Sequence, residues 1–90
     1  MDFRTIRMIG DEIRAARARV NLSREALAAK SGISAKTIQR LENGERPADV
    51  LQMHALCEVF EIEITDLLGR AIARKAEPNG QRQSVPSGRG

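Results

Sequence analysis

Apolar side chains recur along the first part of the chain at steps of three and four, the repeat of a helix buried on one side. Ile6, Ile9, Ile13, Ala16 and Val20 form the first stripe, with arginines and acids between them, and predict a helix over about 5–20. Asn21-Leu22 breaks it. Ser23 is then an N-cap for a second helix over about 24–30 that buries Leu27 and Ala28. Ser34 caps a third over about 35–43, with Ile38 and Leu41 inward. Gly44 ends that helix, since glycine takes the left-handed conformation without a Cβ penalty. Pro47 lies in the connection that follows. Asp49 with Gln52 three residues on is a capping-box start to a fourth helix over about 50–60, expected to bury Leu51, Ala55, Leu56 and Val59. A fifth begins near Ile64 and includes Leu67 and Leu68, and Ala71 and Ile72 can extend it by a turn or two.

Beyond Leu68 the pattern fades. From Glu77 the sequence PNGQRQSVPSGRG is rich in Pro, Gly, Ser and Gln, a composition that buries too little apolar surface to fold. The chain thus reads as all-α: a compact five-helix domain over 1–68 and a basic, largely disordered tail over 69–90.

The second and third helices are each shorter than the ~12 residues that an isolated helix needs in water. They must hold each other. Between them the chain has about three residues in which to reverse, and Gly32 supplies the positive φ at least cost. Ala28 is small where the two helices approach, and Leu27, Ile33, Ile38 and Leu41 form their shared apolar contact.

Composition narrows the picture further. Ninety residues make one domain at most, with no room for a second, catalytic one. With Phe3 and Phe60 the only aromatics, the core must be aliphatic. The single cysteine, Cys57, has no partner for a disulfide or a zinc site. No apolar run approaches the ~20 residues of a membrane span, and the charged start MDFRTIRMIGDEIR does not fit a signal peptide, so the chain reads as cytoplasmic. Charge is unevenly spread. Residues 1–46 carry ten Lys/Arg against six acids, residues 47–68 five acids and no Lys or Arg, and the tail from Gly69 five Lys/Arg against one Glu. One part of such a chain can face a polyanion and another would avoid it, although solvated surface explains the same counts.

The spacing Leu27, Ala28, Gly32, Ile33, Ile38 and Leu41 within motif residues 23–42, with LSREALA, ISAKTIQRLENGERP and the closing IEITDLL, resembles the lambda-repressor-like helix-turn-helix family. That family includes phage repressors, Cro proteins and xenobiotic-response-element regulators, and the likeness covers about residues 9–68. It implies that the third helix lies in the major groove of double-stranded DNA while the second crosses the backbone. Its outward positions Lys36, Gln39, Arg40 and Asn43 then face bases or phosphates, with Ala35 beside Gln39 and Ser34 and Thr37 as secondary donors. Lys and Arg pair with guanine O6 and N7, Gln with adenine N6 and N7, and Ala35 with a thymine methyl. Without the surrounding motif the same stripe is a solvated helix face. Phosphate contacts fall to Arg24, where many members have Gln, and to Asn43 and Arg46. Arg17 and Glu42 match family positions that pair as a structural ion pair.

The remaining candidates are bland. Cys57 reads as a small core residue, His54 as a surface or interface side chain without co-ligands, and Met53 and Phe60 as core. No nucleophile–base set, phosphate loop or carboxylate pair stands out, so no enzyme activity, cofactor, metal or small-molecule substrate is expected. The expected function is a transcriptional regulator of phage-repressor or Cro type, binding a palindromic operator as a homodimer through exposed Leu67, Leu68 or Ile72. An antitoxin, a restriction-modification controller, or an interaction module that binds a toxin or RNA polymerase are the alternatives.

Overall fold

The computed structural model describes residues 3–76, with the side chains of Lys75 and Ala76 excepted; the tail predicted from Glu77 lies outside the described residues. Five helices follow one another: α1 (Phe3–Arg19), α2 (Arg24–Ser31), α3 (Ala35–Glu42), α4 (Val50–Phe60) and α5 (Ile64–Ala76). No strand occurs among the described residues.

The helix boundaries have local causes. Ser23 Oγ accepts from the Ala26 N–H at 3.0 Å to open α2, and Ser34 Oγ accepts from the Thr37 N–H at 3.1 Å to open α3. At the start of α4 both halves of the capping box are present: the Gln52 N–H donates to Asp49 Oδ1 at 2.7 Å and the Asp49 N–H to Gln52 Oε1 at 3.0 Å. α2 stops at Gly32, whose φ of 80° is left-handed and whose N–H donates to the Ala28 carbonyl at 2.9 Å. A Cβ on Gly32 would meet nothing within 4 Å, so the backbone angle alone selects glycine here. Beyond α3, Gly44 (φ 72°) donates to the Leu41 carbonyl at 3.2 Å and Glu45 to the Arg40 carbonyl at 2.9 Å, the paired bonds that satisfy a helix end.

One aliphatic core joins all five helices: Ile9, Ile13 and Ala16 from α1, Leu27 from α2, Ile38 and Leu41 from α3, Met53, Leu56, Cys57 and Phe60 from α4, and Leu67 and Ala71 from α5. Burial pushes the Cys57 thiol above its ordinary value, helped by Glu63 and Asp66, so it behaves as an inert core side chain.

Three sequence expectations are corrected. Leu51 is 80% exposed, because α4 turns the i, i+3, i+4, i+7 stripe of Met53, Leu56, Cys57 and Phe60 inward. Val20 lies past the end of α1, where left-handed Asn21 (φ 57°) swings the chain away, and is more than one-third exposed. Leu67, expected on a dimer surface, is fully buried within its own chain, since with Ala71 it forms the inward face of α5. Residues 69–76 continue α5, held by the burial of Ala71 and by an ion pair from Arg74 to α1.

That ion pair belongs to a node that the sequence did not reveal. Glu12, only 2% exposed, accepts from Arg19 Nη2 at 2.9 Å and from Arg74 Nε at 2.9 Å. Burial pushes its pKa up, but the hydrogen bonds and charges of Arg19 and Arg74 outweigh burial and hold it below the ordinary 4.5.

α1 is the spine, contacting α3, α4 and α5. Its Gly10 meets the last turn of α3: an added Cβ would lie 2.3 Å from the Leu41 carbonyl oxygen and 2.8 Å from that of Glu42. Glu12, which meets Arg74 of α5, is two residues further along, about 200° around the helix. α3 and α5 therefore occupy opposite sides of α1.

Candidate nucleic-acid interface

α3 is held at its buried side by Ile38 and Leu41 and at its end by Glu42, whose side chain is fully buried. A carboxylate so placed must be compensated. Arg17 of α1 does so with two bonds, Nε to Oε2 at 2.7 Å and Nη2 to Oε1 at 3.1 Å, while its Nη1 donates to the Leu22 carbonyl at 3.0 Å. The bond to Glu42 raises the Arg17 pKa against the opposing effect of burial, so the guanidinium keeps its charge. The expected Arg17–Glu42 pair is thus present.

Arg24, at the start of α2, donates from Nε to Glu42 Oε1 at 3.0 Å and remains about one-third exposed. The sequence placed Arg24 at phosphate, but its link to Glu42 spans two helices and leaves no periodic signal. Arg14, which the sequence reading passed over, reaches the same corner. Its Nη2 donates to the Glu42 carbonyl at 3.2 Å and to Asn43 Oδ1 at 3.3 Å, and its Nε lies 3.8 Å from Glu42 Oε1. Its place one turn before Arg17 was the available clue. Glu42 therefore gathers three arginines from α1 and α2 around the end of α3.

The opposite face of α3 is open. Lys36, Gln39 and Arg40 are exposed, their side chains have no polar partner among the described residues, and Asn43 is exposed at the helix end. Ala35 and Thr37 are half-buried at the edge of this stripe. Ser34 gives its hydroxyl proton to Thr37 Oγ1 at 2.9 Å, which leaves the Thr37 proton as the one to offer. Asn43 Nδ2 also reaches Glu45 Oε2 at 3.5 Å. Arg46, in the loop after α3, is exposed and unpaired among the described residues. The motif residues Leu27, Ile38 and Leu41 are buried, and Ala28 and Ile33 pack on them from the margin, as the spacing implied. His54 is exposed, 3.8 Å from Glu58 Oε2. Among the described residues no cluster of His, Cys, Asp and Glu is fit to hold a metal ion, and no helix is long and apolar enough to cross a membrane.

The helix-turn-helix family model matches residues 13–67, well over half of the chain. The chain belongs to the helix-turn-helix family. Its two central helices, α2 and α3, are the pair that gives the family its name, and Gly32 is the turn between them. Among solved structures this helix-turn-helix chain is similar to the restriction-modification controller protein C.AhdI of Aeromonas hydrophila, at 27% identity with a TM-score of 0.67, over 69% of this chain and 94% of that one. It is also similar to the clp gene regulator ClgR of C. glutamicum, at 22% identity with a TM-score of 0.75, over 84% of this chain and 96% of that one, which establishes the fold alone. No match to a curated protein was found.

Proposed function

We propose that the chain is a cytoplasmic, sequence-specific regulator of transcription that binds a palindromic double-stranded operator as a homodimer. The observation that carries this reading is the outward stripe of α3. Lys36, Gln39 and Arg40 project from a helix anchored by Ile38, Leu41 and Glu42, and none is engaged elsewhere among the described residues. Such side chains have no internal hydrogen bond to give up when they meet base edges in the major groove. Ala35, Ser34 and Thr37 flank them, while Arg24, Asn43 and Arg46 serve the phosphates. Repression by occluding polymerase is the simplest mechanism.

The homodimer reading rests on exposed apolar surface. Val50, Leu51 and Ile72 are 76%, 80% and 61% exposed. Val50 and Leu68 also line a shallow apolar groove with Ile9, Ala48, Met53 and Ile64, and Ile72 follows Leu68 by one turn of α5. We assign the dimer contact to Leu68 and Ile72 with Val50 and Leu51, in place of the buried Leu67. Two copies joined there would present their α3 helices to half-sites about 34 Å apart.

Within this class a phage-type repressor is the first expectation from the sequence, while the likeness to C.AhdI favours control of a restriction-modification system. The genes beside this one distinguish the two. The shared reading is tested by selecting a preferred duplex from a random pool and titrating it with the wild type and with Lys36→Ala and Arg40→Ala. Each substitution should cost ~1–3 kcal/mol of binding to the selected duplex. The reading fails if no duplex is preferred to bulk DNA at moderate salt, or if neither substitution matters.

A further inference from the structure

Gly10 brings α1 against the end of α3, and the residues one turn to either side of it on α1 are both arginines. Arg7 is exposed, has no polar partner among the described residues, and runs beside Gly44: a Cβ on that glycine would lie 3.1 Å from the Arg7 Cα. Arg14 lies on the other side of Gly10, with its guanidinium on the Glu42 carbonyl and Asn43 Oδ1 and nearly half its side chain exposed. Arg46 projects from the loop just beyond. The end of α3 is thus bracketed by cations carried on a helix outside the two-helix motif.

Local acids do not cancel this charge. Asp11 lies 3.7 Å from Arg14 Nη1, buried Glu42 is already bonded by Arg17 and Arg24, and Glu45 holds only a long contact with Asn43. With Glu25, whose charge reaches Arg17, four carboxylates stand in this region against the five arginines Arg7, Arg14, Arg17, Arg24 and Arg46, a small local excess of positive charge. Cations at a helix C-terminus are favourable in themselves. That effect accounts for the placement of Arg14, but not for exposed Arg7, whose neighbour Gly44 lies two residues past the helix.

We propose that Arg7 and Arg14 form a second phosphate clamp, through which α1 grips the DNA backbone where the end of α3 leaves the groove. The proposal rests on the reading of α3 as the groove-facing helix. Arg24 of α2 and Arg14 of α1 converge on the same Glu42 oxygen, so both serve the stretch of backbone beside the end of α3, and Arg7 extends that contact along α1. The clamp carries affinity without sequence preference.

The test is the salt dependence of binding by the full chain, measured on its selected duplex and on an unrelated duplex of equal length. Each phosphate contact contributes about 0.9 to the slope of log K against log salt. Arg7→Gln with Arg14→Gln should lower that slope by about 2 on both duplexes and leave the ratio of the two affinities unchanged. Arg7→Lys with Arg14→Lys should restore most of it. Arg7→Gln alone, which removes no internal bond, should lower it by about 1. An unchanged slope in Arg7→Gln, or in a double variant that melts like the wild type, overturns the clamp and leaves Arg14 as a cap for α3. A wild type that binds no duplex overturns both the clamp and the regulator reading. One that prefers its selected duplex with slopes unaltered by these variants overturns the clamp alone.

Discussion

Gly10 lies where α1 passes the last turn of α3, and a methyl group there would sit 2.3 Å from a backbone carbonyl. Two effects oppose each other in Gly10→Ala. Alanine is favoured over glycine inside a helix by about 1 kcal/mol, but the clash is with backbone that cannot rotate aside, and overpacking of this kind costs about 1–3 kcal/mol. The clash should win. Urea unfolding of Gly10→Ala is expected to show a lower midpoint than the wild type, and an equal or higher midpoint would show that α1 and α3 separate at no cost. Gly32 and Gly44 were legible in the sequence because each follows a completed helical stripe, where a left-handed residue is needed. Gly10 was not, because a glycine within a helical pattern looks the same whether it is a weak point or a place of close approach.

At the level of the helices, periodicity placed all five, with the boundaries of α1 to α4 within about two residues, and α5 runs on to Ala76. The further length of α5 depends on Arg74 meeting Glu12 across the fold, and such a pair between residues 62 apart leaves no local trace. In α4 Met53, Leu56, Cys57 and Phe60 were expected in the core and are buried there, and the misplaced residue is Leu51: apolar residues are spread around this helix, so it offers more than one stripe, and its neighbours select the one that leaves Leu51 outside. The Glu12 node also makes the α1–α5 contact dependent on pH. Its folded pKa lies below 4.5, so its contribution is complete above about pH 4.5 and is lost as pH falls through the lower folded value. The melting-temperature gap between the wild type and Glu12→Gln should be widest above about pH 4.5 and narrow as pH falls below it. A gap that stays constant as pH falls would mean that Glu12 is not the titrating group.

For the whole molecule, the placement of α3 and α5 on opposite sides of α1 sets the outward polar stripe of α3 apart from exposed Ile72 of α5. Association of two copies should therefore be separable from contact with DNA. Ile72→Glu should shift sedimentation toward the monomer, while the isolated chain keeps its melting temperature, since Ile72 is outside the core. A variant that remains dimeric would move the contact elsewhere. The outward residues of α3 were legible because they alternate with its buried ones; the arginines gathered at Glu42 were only partly so, because α1 and α2 meet there through tertiary packing. The claim on which the rest depends is that Gln39 and its neighbours read bases. Repeating the random-duplex selection with Gln39→Ala tests it most directly. If α3 lies in the groove, the selected half-site should lose its preference at one or two adjacent positions and keep the others. A consensus identical to that of the wild type at every position would contradict the account.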